Sequence, residues 1–134
     1  MPIRLKHGQE STFKVVEFLK QHPLIEKVYF PLDSDFAQYE LAKKQMNGAS
    51  GLVTILIKAQ KHEEIERFAM GLKHFLLAVS WGGHESLIMP KCAGIKPEEF
   101  DSNNEEHRLI RLYIGLEDAD YLIEDLRQGL ALLN

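Results

Sequence analysis

The sequence predicts an α+β fold in which helices pack on one sheet. Apolar residues recur at helical spacing over residues 4–21, over residues 61–72 and again after the acidic pair at 117–118. That spacing is typical of amphipathic helices that bury one face. Two other stretches, residues 52–57 and 109–114, are short and rich in apolar and β-branched side chains, as expected of strands inside a sheet. The mixture indicates a layer of helices on a layer of strands.

Weaker signals complete the order of elements. Residues 28–30 predict a short strand that a proline ends, and the Asp-Ser-Asp run at 33–35 offers N-cap candidates for a helix reaching residue 46. Residues 75–79 predict a further apolar strand that runs into a pair of glycines. The polar segment 90–106 contains two prolines and predicts a loop with at most a short helix. The predicted order is helix, strand, helix, strand, helix, strand, strand, helix.

Size and composition limit the classes of function. The 134 residues, 45% of them hydrophobic, suit a single folded domain. The net charge of −4 and the scatter of the 16 basic residues argue against nucleic-acid binding. No apolar run approaches the ~20 residues of a membrane span, and the first residues do not resemble a secretory signal. The single cysteine, Cys92, excludes an internal disulfide. We expect a cytoplasmic protein.

Arg111 is the most informative residue, because it interrupts an apolar strand. Side chains alternate along a strand, so those of residues 109–114 divide between a core face (Ile110, Leu112, Ile114) and an opposite face (Leu109, Arg111, Tyr113). An unpaired buried guanidinium is very costly. The pattern therefore leaves two alternatives: a structural ion pair, which is the commoner case, or a face that opens toward a ligand carboxylate.

A glycine-containing turn is the second candidate site. In residues 80–86, Gly82 and Gly83 could let backbone amides face an anion, although paired glycines are also common in plain turns. Ser80 lacks the surroundings of a nucleophile elbow. Trp81 could cover a ligand, or it could fill core volume as large aromatic residues more often do.

The histidines and the cysteine predict no metal site. Residues 62–66 do not match the H-E-x-x-H pattern, because position 66 is glutamate, and the other histidines have no ligand-like spacing with Cys92. Lys91 could lower the pKa of the neighbouring Cys92 thiol. A packed or surface thiol without such activation is the commoner case.

Several motifs together resemble the pyridoxal-phosphate enzymes of cysteine and methionine metabolism, such as the cystathionine lyases and synthases. Residues 78–88 read A-V-S-W-G-G-H-E-S-L-I, similar to that family's S-L/W-G-G-x-E-S-L-I. Residues 109–118 read L-I-R-L-Y-I-G-L-E-D and resemble L-I-R-L-S-x-G-x-E-D, and L-I-E-D-L follows at 122–126. Residues 28–31 and 40–46 resemble two weaker motifs of the same family. The resemblance extends in order over essentially the whole chain.

The resemblance implies the C-terminal substrate-recognition domain of an aspartate-aminotransferase-fold enzyme, with a small, mainly antiparallel sheet. Residues 1–134 would form this one domain, and the large domain, which carries the Schiff-base lysine and the phosphate-binding residues, would be absent. We therefore expect pyridoxal phosphate in the full-length enzyme only, and no catalytic, cofactor-binding or metal-binding residue in this chain.

Four residues are implied to bind substrate. Arg111 matches the arginine that grips the α-carboxylate, and Ser80 matches a serine beside the same site. Val79 stands where many γ-lyases have glutamate, and Trp81 resembles the residue of bacterial β-lyases. These departures leave open the substrate and the choice between β- and γ-elimination or replacement.

The leading interpretation is thus a cystathionine-lyase-like enzyme domain, inactive alone. Its partners would be a cystathionine-like amino acid, the large domain and, in the full-length enzyme, further copies of the protein. The alternative is a stand-alone α+β module that binds an amino acid or mediates assembly without catalysis.

Overall fold

A computed structural model describes residues 2–133, which form four α-helices and five β-strands. The helices are α1 (Pro2–Gln21), α2 (Tyr39–Gln45), α3 (His62–Gly71) and α4 (Ala119–Ala131). The strands are β1 (Ile25–Tyr29), β2 (Leu52–Ile57), β3 (Leu76–Leu77), β4 (Leu87–Pro90) and β5 (Leu109–Tyr113). No helix in this part of the chain is both long enough and apolar enough to cross a membrane.

The strands form one sheet in the order β1-β2-β5-β4-β3. The β1–β2, β2–β5 and β4–β5 pairs are antiparallel, and only the edge pair β3–β4 is parallel. The predicted α+β class with a mainly antiparallel sheet is therefore confirmed. β2 and β5 lie inside the sheet, in agreement with their apolar sequences.

The core lies between the helices and one face of the sheet. Ile110 and Leu112 of β5 pair with Ile55 and Val53 of β2, and all four side chains are at most 1% exposed. Each such burial contributes about 1.5–3 kcal/mol before the entropy cost of ordering the side chain. The helices supply the other half of the core with fully buried residues that include Leu19, Phe68 and Leu122. The predicted core face of β5 is confirmed.

The second helix begins later than predicted. α2 starts at Tyr39, and no side chain caps it, so the N-cap role expected in residues 33–35 is wrong. Instead, the carboxylates of Asp33 and Asp35 accept hydrogen bonds from Lys20 Nζ at 2.7 and 2.6 Å. These hydrogen bonds raise the pKa of Lys20, and the bond to Asp33 has the largest effect. The carboxylate oxygens of Asp33 and Asp35 are thus engaged in ion pairs with Lys20 of α1, and they cap no helix.

The region of β3 and β4 also differs from the prediction. The strand expected over residues 75–79 is reduced to Leu76–Leu77, whose side chains are 56% and 53% exposed. The strand β4, Leu87–Pro90, was not predicted, because it is short and ends in proline. Residues 91–108 carry three single 3₁₀ turns and no longer helix, as the loop prediction required.

A buried carboxylate in α4 holds the chain that enters β3. Asp125 is 3% exposed, and its oxygens accept hydrogen bonds from the backbone amides of Lys73 and His74 at 2.9 and 2.8 Å. The side-chain amide of Gln128 donates a third bond at 2.9 Å. These donors compensate the burial of the charge. Asp125 therefore fixes the position of the chain between α3 and β3.

A second buried network joins the glycine-containing turn to the end of β5. Ser86 is fully buried; its Oγ donates to Glu117 Oε2 at 2.7 Å, and its amide donates to Oε1 at 2.9 Å. The amide of Gly115 donates back to Ser86 Oγ at 2.9 Å. A Cβ at residue 115 would lie 2.2 Å from the carbonyl oxygen of His84, so only glycine allows this approach. The two strongest sequence motifs are thereby connected in space.

Glu117→Ala should lower the free energy of unfolding by about 2–4 kcal/mol, because a buried hydroxyl and a buried amide lose their charged acceptor. Urea unfolding of the chain measures this change. Glu124→Ala is the matched control, because Glu124 is an exposed carboxylate paired only with Arg127, and it should cost much less. Equal losses in the two variants would contradict the structural role of Glu117.

Candidate functional site

Arg111 lies in the middle of β5, on the face opposite the core. Its cross-strand neighbours are Thr54 of β2 and Met89 of β4, neither of which is charged. The guanidinium is partly exposed. Arg111 is thus a partly exposed cation at the centre of the sheet, on the face that the alternation predicted, and Lys27 of β1 lies toward the edge of the same face over the Tyr29 ring.

The partners of Arg111 are backbone carbonyls of the segment after β3. Nη2 donates to the oxygen of Val79 at 2.6 Å, to that of Ser80 at 3.2 Å and to that of Ala78 at 3.4 Å. Within residues 2–133 no carboxylate forms an ion pair with it. The alternative of a structural ion pair is therefore wrong for the described chain. Carbonyl dipoles orient the guanidinium and leave its positive charge unneutralised.

The four residues predicted to bind substrate, Arg111, Ser80, Val79 and Trp81, lie next to one another. Their side chains do not all point toward one common site. The backbones of Val79 and Ser80 contact Arg111, while their side chains face outward and that of Val79 is 71% exposed. Trp81 is 61% exposed, so the interpretation of Trp81 as core filling is wrong. The structure places all four on one open surface of the domain.

A shallow cleft of about 220 Å³ lies beside the turn. Trp81, Tyr113, Arg4 and Leu116 line it, together with glycine backbone. The Tyr113 hydroxyl donates to the carbonyl oxygen of Gly83 at 3.1 Å. Burial raises the pKa of Tyr113, and Arg4 opposes that shift. The phenol therefore stays protonated and remains a donor at neutral pH.

Tyr113 and Glu117 were missed as residues that shape this site. The sequence did carry a signal for Tyr113, because strand alternation places it on the same face as Arg111. No local pattern reveals Glu117 as an acceptor for Ser86, because the two lie 31 positions apart in the chain.

Pyridoxal phosphate places specific demands on the residues that line its site. The cofactor needs a lysine amine for its Schiff base and donors for its phosphate. Among the described residues, those that line the cleft beside the turn include no lysine.

Neither Cys92 nor any histidine is among the described residues that line the cleft beside the turn. Cys92 is 2% exposed, and burial raises the pKa of its thiol, so the packed thiol, the commoner of the two alternatives, is confirmed. Lys91 pairs instead with Glu106 at 2.9 Å. Between Pro2 and Leu133 no group of three His, Cys, Asp or Glu side chains is placed to bind a metal ion.

Comparison with known proteins shows the same family over nearly the whole chain. Residues 1–131 match the model of the "Cys/Met metabolism PLP-dependent enzyme" family. The chain is 38% identical to cystathionine beta-lyase MetC of Escherichia coli over 135 residues, which is 96% of this chain and 33% of that protein. It is 40% identical to human cystathionine gamma-lyase over 134 residues, which is 96% of this chain and 32% of that protein.

A solved structure gives the same result. Cystathionine gamma synthase from Xanthomonas oryzae pv. oryzae, in complex with aminoacrylate and cysteine, matches with a TM-score of 0.85 and 30% identity. The match covers 98% of this chain and 35% of that one. The chain spans about a third of the length of the relatives that it matches. It belongs to the family of pyridoxal-phosphate-dependent enzymes of cysteine and methionine metabolism.

Proposed function

We propose that residues 2–133 form the substrate-recognition domain of a cystathionine-lyase-like enzyme that cleaves or forms C–S bonds. In this proposal Arg111 binds the α-carboxylate of an amino-acid substrate. The observation that carries the proposal is the state of Arg111, a strand-centre cation that no carboxylate of the described chain neutralises.

The hydrogen bonding of Arg111 suits this role. All of its bonds to the described chain come from Nη2, so Nε and Nη1 keep hydrogens for an external acceptor. Charge-assisted bonds to a carboxylate are shorter and stronger than the bonds to neutral carbonyls. A substrate carboxylate would therefore be favoured by an arginine that is already oriented, which lowers the entropy cost of binding.

Ser80, Val79 and Trp81 would then form the border of the substrate site. Their side chains are exposed on a segment whose backbone is tied to Arg111. Val79 and Trp81 would contact the part of the substrate beyond the carboxylate, and Ser80 would lie next to the carboxylate itself. Loops fixed on a rigid sheet commonly carry such binding residues.

The rest of the enzyme would cover this surface. The relatives are about three times longer than the chain, and Val79 and Trp81 expose apolar side chains on the segment whose carbonyls bind Arg111. Contiguous exposed apolar residues indicate a contact surface. We propose that this surface faces a large domain that holds pyridoxal phosphate on its own lysine. The intact enzyme would be a cytoplasmic homo-oligomer.

Arg111→Ala, made in the full-length enzyme, should raise KM for the amino-acid substrate about 10- to 100-fold, because one or two charge-assisted bonds are lost. Arg111→Lys should recover only part of this loss, because an ammonium keeps the charge without the planar fork. Steady-state kinetics measures both effects. The control is Arg127→Ala on the exposed side of α4, which should leave KM unchanged. An unchanged KM in Arg111→Ala would refute the carboxylate role.

The isolated chain should not catalyse the family reaction. Purified chain mixed with one equivalent of pyridoxal phosphate should show no internal-aldimine absorbance and release no thiol from cystathionine, because no cofactor lysine lies at the site. The full-length enzyme at the same concentration is the positive control. Thiol release by the chain alone would show that it carries its own catalytic groups.

A further inference from the structure

Tyr113 and Arg111 lie two positions apart on the same face of β5, and both side chains bind the segment that follows β3. Arg111 binds the carbonyl oxygens of residues 78–80, and Tyr113 binds that of Gly83. Side-chain bonds therefore attach the segment to β5 at two points, and the backbone bond from Leu116 N to the His84 oxygen, at 2.8 Å, holds it one residue further along. Trp81 and Gly82 lie between those points.

The part between the two attachments has little other support. Gly82 adopts φ +88°, which side chains rarely allow, and a Cβ built there would meet no atom within 4 Å. Trp81 is 61% exposed. Among the described residues, the conformation of Trp81 and Gly82 therefore depends on the bonds at residues 78–80, at Gly83 and at the His84 oxygen.

We propose that Tyr113 is a positioning residue of the substrate site, in which its hydroxyl holds the Gly82–Gly83 turn so that the Trp81 indole forms the outer wall. This inference rests on the proposed function of Arg111 as the carboxylate anchor. Arg111 fixes the inner end of the substrate, and Tyr113 fixes the residue that the outer end meets. Both ends of the substrate site are then positioned by side chains of the same strand, β5.

The strand β5 is rigid enough at Tyr113 to hold the turn in place. The Tyr113 side chain is 9% exposed, and its position in β5 is paired with Leu52 on one side and with Leu87 on the other. The ring therefore moves little, and its hydroxyl reaches Gly83 from a rigid base. A single such bond shifts the balance between held and free turn by about two- to tenfold.

Trp81 is the only tryptophan of the chain and reports directly on the turn. Tyr113→Phe keeps the ring and removes the hydroxyl, so it should raise the fast-motion amplitude in time-resolved Trp anisotropy about twofold. Tyr121→Phe is the matched control, because Tyr121 lies exposed on α4, and it should change nothing. Urea unfolding checks that both variants are folded. Unchanged Trp81 motion in Tyr113→Phe would overturn the proposal.

Kinetics of the full-length enzyme tests the functional half. Tyr113→Phe should raise KM about two- to tenfold with little change in kcat, because the turn must be ordered before the substrate is held. Freer Trp81 motion with an unchanged KM would overturn the positioning role. The carboxylate proposal has its own test in Arg111→Ala. If that variant keeps its KM while Tyr113→Phe raises it, the carboxylate role fails and Tyr113 still positions the turn.

Discussion

The carboxylate of Glu117 is the contact on which the arrangement of the site depends. It accepts hydrogen bonds from both the amide and the hydroxyl of Ser86. The hydroxyl oxygen of Ser86 in turn accepts a hydrogen bond from the amide of Gly115. One partly buried acceptor therefore connects the start of β4 to the end of β5. The segment before Ser86 carries Trp81, and the strand before Gly115 carries Arg111. This connection adds to the bonds that Arg111 and Tyr113 make to the same segment, and breaking it is costly because it would leave buried donors unpaired.

The same logic explains why the arginine of β5 suits recognition better than stability. A buried ion pair would have neutralised Arg111 and closed the surface. Carbonyl oxygens orient it while leaving its positive charge available on the face opposite the core. Such a face is a poor surface for a finished globule, but it suits a domain that receives an anionic substrate and packs against another domain. The length of the relatives, about three times that of this chain, agrees with that interpretation.

Much of the fold could be predicted because local pattern and final environment agree. The alternation in residues 109–114 gave the core face, and β2 lies at the predicted residues 52–57. Prediction failed where distant partners decide the outcome. Asp33 and Asp35 are residue types that often cap helices, but their carboxylates bind Lys20 of α1 and cap no helix. The hydrogen-bond partners of Arg111 are likewise carbonyls that lie 31 to 33 positions away in the chain. The pattern of a single strand carries no information about such distant partners.

A crystal structure of the full-length enzyme with a bound amino-acid substrate analogue tests the central claim most directly. The account predicts that the α-carboxylate lies within about 2.7–2.9 Å of guanidinium nitrogens of Arg111, the range of charge-assisted hydrogen bonds. It also predicts that Ser80 lies beside that carboxylate. A carboxylate held by other groups, with Arg111 still bonded only to the carbonyls of residues 78–80, would contradict it.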